Sequence, residues 1–170
     1  AGASPASCRS STTPPEECPG CASWSDPATW GGAVPTAGQD VVIPAGLDVL
    51  LDVDTPALRS LTIHGTLRFA RQDLALTADW VMVHGSLAIG SEAQPFTHRA
   101  VITLTGAPGE EVMGMGTRGI LVMGGTLEMH GAPPAVQWTK IGAHAAAGTS
   151  SLQLAEAVDW APGDEIVVAP

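Results

Sequence analysis

The chain has 170 residues, 45% hydrophobic and only 14% charged, which excludes a disordered polymer and gives enough apolar side chain for a core of its own. Its formal net charge is −10 at pH 7 with Lys140 as the only lysine, a field that repels nucleic acid, anionic membrane and bulk polyanionic sugar alike. No stretch approaches the roughly 20 apolar residues of a membrane span, so no membrane insertion is expected of these residues. Because the chain starts at Ala1 without a methionine, a segment upstream is expected.

Residues 1–22 are rich in Pro, Ser and Thr and read as a tail. All three cysteines, Cys8, Cys18 and Cys21, lie in it. Cys18 and Cys21 have the spacing of a zinc half-site or a redox pair, but no second pair of ligands and no strand-helix context accompany them. A disulfide in an oxidising, extracellular setting is the expected role, which leaves one thiol over.

From Trp24 an internal repeat appears, and residues 23–170 read as one β domain. Val41, Leu61, Val81, Val101 and Leu121 recur every 20 residues, and Ile43, Ile63, Val83, Thr103 and Met123 follow two positions later. Leu47, Leu67, Leu87, Ala107 and Leu127 form another column, and Gly65, Gly85 and Gly125, broken by Thr105, a third. Within the windows apolar and polar residues alternate, as in Leu61, Thr62, Ile63 and His64, which is the period of a half-buried strand. No 12-residue amphipathic helix fits between windows. The chain must therefore return to lie one strand above its start, giving an all-β, parallel β-helix-like stack of about five 20-residue coils over residues 41–130. Ile63, Val83 and Met123 are expected to share one buried column. The fourth window is irregular, and the Gly/Met-rich segment 109–119 after it predicts a protruding loop. Beyond Gly131 the repeat stops, and 136–169 reads as terminal strands around a turn at Pro162 and Gly163, a C-terminal hairpin-like region. An open stack end would leave backbone unpaired, so the natural chain is expected to continue past Pro170.

The motifs WSDPATWGGAVPTAGQDVVIPAG, LTIHGTLRF, WVMVHGSLAIG, GILVMGGTLEMHG and VDWAPGDEIVVA, in order from about Trp24 to Ala169, together resemble the G-eight (eight-glycine) domain. Gly46, Gly65, Gly85, Gly124, Gly125, Gly131 and Gly163 stand where such a domain places its glycines. The resemblance implies an extracellular domain, secreted or at the cell surface, ahead of a longer parallel β-helix, with carbohydrate binding suspected for the family. Fibrocystin-type surface proteins and cell-surface hyaluronidases are among its members. It implies no activity for this stretch.

Several side chains invite a functional reading. His64 and His84 share a repeat position and should stack about 4.8 Å apart, where two imidazoles offer ligands to a metal or a sugar carboxylate; turn-flanking structural histidines are the alternative. Asp48, Asp52 and Asp54 share strand parity, and three carboxylates on one face suit calcium, against the commoner case of solvated outward acids. No other cofactor is expected. Asp159, Asp164 and Glu165 flank one turn and offer the two carboxylates of a glycosidase, or cap the turn. No Ser-His-Asp order, HExxH or phosphate loop is present. Trp24, Trp30 and Trp80 stand beside strand starts, as end caps of the core or as stacking platforms for sugar rings. Any anionic ligand needs a local patch from Arg59, Arg68, Arg71, Arg99 or Arg118, since the overall field is repulsive.

Three functional readings follow. The first is an extracellular, non-catalytic module that binds a polysaccharide, a surface partner or another extracellular domain of the same chain. The second is the N-terminal part of an enzyme that depolymerises hyaluronan or a related polysaccharide, and the third is a structural stalk of a fibrocystin-like surface protein.

Overall fold

The computed structural model describes residues 18–107, 109, 111, 114 and 116–168. Cys8 and most of the N-terminal tail lie outside the described residues. The chain divides into two compact units, 1–131 and 132–170.

The first unit is a stack of parallel strands with no α-helix among the described residues. In chain order these are β1 (Ala22–Ser23), β2 (Asp40–Ile43), β3 (Asp48–Leu51), β4 (Leu58–Ile63), β5 (Thr66–Phe69), β6 (Leu74–Val83), β7 (Ser86–Ile89), β8 (Ala100–Leu104), β9 (Gly119–Val122) and β10 (Thr126–Met129). They form two sheets. One runs β1-β3-β5-β7-β10, and the other β2-β4-β6-β8 with β9 also on β6. From β1 to β8 the chain alternates between the sheets; β9 follows β8 in the second, and β10 returns to the first. All-parallel pairing follows from the period: with only tight turns between windows, each strand meets its neighbour one coil away in the same direction.

The inward residues close a core from both sheets. Val41, Leu61 and Val81 lie in register, as do Ile43, Ile63 and Val83, and none is more than 5% exposed. Opposite them Val49, Leu67 and Leu87 are fully buried in the other sheet, with Leu127 next in their column and partly buried. Trp24 and Trp30, in edge-to-face contact with centroids 4.7 Å apart, join this core beside β1; Trp24 is fully buried and the Trp30 indole donates to its carbonyl at 2.7 Å.

Two departures from a strict 20-residue register have local causes. Val49, not Leu47, faces Leu67, because the turn from Pro44 to Leu47 is two residues wider than the next two turns of its kind, at 64–65 and 84–85, and turns on Gly46 at φ 83°. At the far end β8 and β9 lie end to end along the ten-residue β6: Ala75 pairs with Val101, while Val81 and Val83 pair with Ile120 and Val122. The fourth and fifth windows therefore build one level of the second sheet, joined by the segment 105–118. The slip of one residue puts Met123 outside the column, in the turn with Gly124, and it is 46% exposed instead of buried below Val83.

The glycine column is a requirement of close approach. A Cβ on Gly85 would meet the backbone oxygens of Gly65 and His64, and one on Gly125 would lie 2.6 Å from the oxygens of Gly85 and Val83. At these positions successive turns stack backbone on backbone.

The second unit holds no ladder among its described residues. One antiparallel bridge joins Ile141 and Leu154. Residues 166–168, expected as a terminal strand, are exposed and without a strand partner among the described residues.

Candidate functional site

The arginines proposed for ligand contact fall in separate places. Arg68 on β5 and Arg71 just after it line one small cleft of about 90 Å³ on the first sheet, together with Phe69, Ser91, Gln94 and Phe96. Arg71 is held by the Gln94 carbonyl at 3.1 Å, the Gln94 side-chain oxygen at 3.1 Å and the Pro95 carbonyl at 3.2 Å. Arg68 is exposed, and its guanidinium has no hydrogen-bond or ion-pair partner among the described residues. Arg59, on the second sheet, pairs through Nε and Nη2 with Asp40, which also accepts from the Ser60 hydroxyl at 2.7 Å. Arg99 precedes β8, and its backbone N–H donates to Asp73 at 2.9 Å. The structure thus brings Arg68 and Arg71 together and leaves Arg59 and Arg99 elsewhere.

His64 and His84 stack as the repeat requires, with ring centroids 4.7 Å apart and an interplanar angle of 14°. Nitrogen lone pairs of near-parallel rings run side by side in their ring planes and do not converge on one ion. The three aspartates are also divided. Asp52 accepts from the Ser25 backbone and hydroxyl at 2.9 and 2.6 Å, and Asp54 accepts from the Ala75 N–H at 2.7 Å. Asp48 lies beside Cys18 and Cys21, with ligand atoms within 4.8 Å of one another, but the two sulfurs are bonded to each other and are not thiolate ligands. That disulfide sits next to Asp48 because β1 pairs with β3 at Ala22 and Val49.

In the second unit Asp159 accepts backbone N–H groups from Ala135 at 2.8 Å and Val136 at 3.1 Å, and the Trp160 indole donates to the Val136 carbonyl. The hydrogen bond from Ala135, then that from Val136, holds the Asp159 carboxyl below its ordinary range. Its ionised form is therefore favoured by the folded unit at neutral pH, and that preference fades as pH falls through the lowered value. Asp164 accepts from the Ala161 N–H at 2.7 Å and closes its turn. Both carboxylates hold backbone.

One cleft was not foreseen as a cleft, although Arg59 and Trp80, two of its lining residues, are each named in the sequence as candidate contacts. Strands β4 and β6 each turn two consecutive residues, Arg59 with Ser60 and Asp79 with Trp80, away from the core between the inward pairs Leu58/Leu61 and Ala78/Val81. Asp40, Ser60, Trp80 and Gly119 consequently stack in register on the outer face of the second sheet. Trp80 is not an end cap of the core. It is 4% exposed, with Gly119 so close that a Cβ there would lie 3.2 Å from the indole ring and with Gly106, Ala107 and Thr117 beside it on one cleft. This cleft, of about 320 Å³, is lined by Asp40, Arg59, Ser60, Trp80, Met82 and Ala107 among others. The Trp80 indole N–H, like that of Trp24, is buried with no acceptor among the described residues, an omission that ordinarily costs about 1–3 kcal/mol. The only hint in the sequence is the pairing of a Trp with polar neighbours at a place where alternation skips a beat.

No helix among the described residues is long and apolar enough to cross a membrane. No solved structure matches the chain. Among curated proteins, human fibrocystin-L is 44% identical over 151 residues, covering 86% of this chain, and mouse fibrocystin 38% identical over 154 residues, covering 87%. A G8 domain-containing protein of Dictyostelium discoideum is 29% identical over 172 residues, covering 94% of this chain and 15% of its own length. The chain spans only 4% of the length of the fibrocystin relatives. Residues 29–142 match the G8 domain, and the chain belongs to the G8 domain family.

Proposed function

We propose that this domain is an extracellular, non-catalytic module of a larger protein that binds polysaccharide or a surface partner, with the Arg68 and Arg71 cleft as its contact for an acidic group. The observation that carries this reading is the placement of two guanidinium groups on one small cleft of a chain whose net charge is −10, one of them without a partner among the described residues. Arginine forks suit a carboxylate, and Arg71 is already oriented by Gln94 and Pro95. The disulfide between Cys18 and Cys21 fits an oxidising compartment. The stacked His64 and His84 serve the turns in this reading.

A glycan array probed with the 170-residue chain, followed by the Arg68→Ala/Arg71→Ala/Arg99→Ala variant, tests it. Binding to uronate- or sialate-bearing glycans that weakens about tenfold or more in the variant, and loses most of its salt dependence, is the expected outcome. Silence across acidic and neutral glycans removes the binding function, and unchanged affinity in the variant removes the cleft.

A further inference from the structure

The Cys18–Cys21 bridge has a neighbour that a plain staple does not need. The turn it spans has other supports: the Cys21 N–H donates to the Cys18 carbonyl at 3.1 Å, and Gly20 stands at φ 95° after Pro19, the residue types that such a turn asks for. β1 then pairs with β3 from Ala22 on Val49, so one step back in the register Cys21 lies opposite Asp48. The buried Trp24, whose N–H donates to the Leu50 carbonyl at 2.8 Å, fixes that pairing from the core side. Turn and ladder together gather two sulfurs and a carboxylate oxygen within 4.8 Å of one another, the one such group of three among the described residues. Asp48 is exposed and has no hydrogen-bond or ion-pair partner among the described residues, so its carboxylate is free to act as a ligand.

The donor set selects the ion. Two sulfurs disfavour calcium and magnesium, which seek oxygen, and a carboxylate beside two thiolates suits the borderline Zn²⁺. With Zn–S bonds of about 2.3 Å and a Zn–O bond of about 2.0–2.2 Å, tetrahedral ligands stand about 3.6–3.8 Å apart, a spacing that side-chain rotation reaches. The net charge of −10 favours any divalent cation. The bridged sulfurs are not ligands. A dithiol that reduces the bridge gives it two electrons and two protons and becomes a disulfide itself, leaving Cys18 and Cys21 as thiols. Zn²⁺ then replaces both thiol protons, which pass to solvent.

We propose that Cys18, Cys21 and Asp48 form a redox-gated zinc site: the reduced chain binds one Zn²⁺ through two thiolates and a carboxylate, with water as the fourth ligand, and the disulfide closes the site. This goes beyond the Arg68 cleft and shares no residue with it, so either reading can fail alone. In an oxidising compartment the bridge keeps the site shut, and zinc is held by the chain before oxidation or after reduction.

The test uses the 170-residue chain with Cys8→Ser, which removes the third thiol. The protein is reduced with dithiothreitol, freed of it by gel filtration under nitrogen, and titrated with Co²⁺ as a coloured stand-in for zinc. Tetrahedral ligand-field bands and a thiolate-to-cobalt charge-transfer band are expected, saturating at one equivalent and vanishing when Zn²⁺ is added. The oxidised chain should show neither band. In competition with a chelating dye, Asp48→Ala should weaken zinc binding about tenfold or more, and Asp48→Glu should restore part of it. No charge-transfer band in the reduced chain overturns the proposal, as do equal bands in the oxidised chain or a zinc affinity unchanged by Asp48→Ala. A reduced, zinc-loaded chain that loses the circular dichroism of the oxidised one also overturns it, because the turn and β1 have to outlast the S–S bond.

Discussion

Two stretches of the same stack use their residues at different rates. In the second sheet Val41, Leu61 and Val81 follow one another every 20 residues, whereas the next member of that column, Ile120, comes 39 residues later. β4 and β6 have neighbours on both sides, β2 on one with Trp24 and Trp30 packed into the same core, and the inward residues of all three are at most 5% exposed; at the last level Val122 and Met129 are 42% and 52% exposed. A strand with neighbours above and below must keep its length and register, because each slip moves side chains to the wrong face. A strand with one neighbour is freer. Here that freedom lets the level split into β8 and β9, with Gly106, Ala107 and Thr117 between them in sequence and beside Trp80 in the structure.

The contrast can be broken most sharply by truncating inward residues from two levels of one sheet. Leu87→Ala, in the fully buried interior, should cost about 2–5 kcal/mol in urea unfolding, the range for a core cavity. Met129→Ala, half exposed on the last level, should cost less than about 1 kcal/mol. Equal costs would mean that the last level is packed like the others.

A smaller effect, of about 1–3 kcal/mol, is expected for Gly85→Ala, whose methyl group has to displace the backbone of the Gly65 turn. Gly131→Ala, with no atom within 4 Å of the added carbon, should stay within about 0.5 kcal/mol of the parent. If Gly85→Ala proves as mild as Gly131→Ala in the same unfolding experiment, the glycine column is not set by close approach.

The early levels were legible because composition, alternation and period agree there: the columns through Leu61 and Val81, through Ile63 and Val83, and through Leu67 and Leu87 are those of the structure. The stacking of His64 on His84 and the glycine column were legible for the same reason. What the period concealed were changes in turn length. Two extra residues before Val49 and one extra at Met123 shift the register without disturbing the apolar count, so Leu47 and Met123 looked like core. The candidate sites divide likewise. Arg68 and Arg71 are neighbours in sequence, and their shared cleft was open to inference. The Trp80 cleft was hidden because it depends on Asp40 and Arg59 from earlier coils and on Gly106, Ala107 and Thr117 from the irregular fourth window and the segment after it.

Everything said of the last level rests on β8 and β9 sharing one edge of β6, and disulfide trapping examines that directly. In a Cys8→Ser background, Met82→Cys with Leu121→Cys places two cysteines on register partners, within reach of a disulfide. Val101→Cys with Leu121→Cys is the control. Their partners on β6, Ala75 and Met82, are seven residues apart, about 23 Å at roughly 3.3 Å per residue. Mass spectrometry after mild oxidation should find the 82–121 bond in most molecules and the 101–121 bond in almost none. An uninterrupted 20-residue stack, with 121 directly beneath 101, would give the 101–121 bond instead, and that result would contradict the split level.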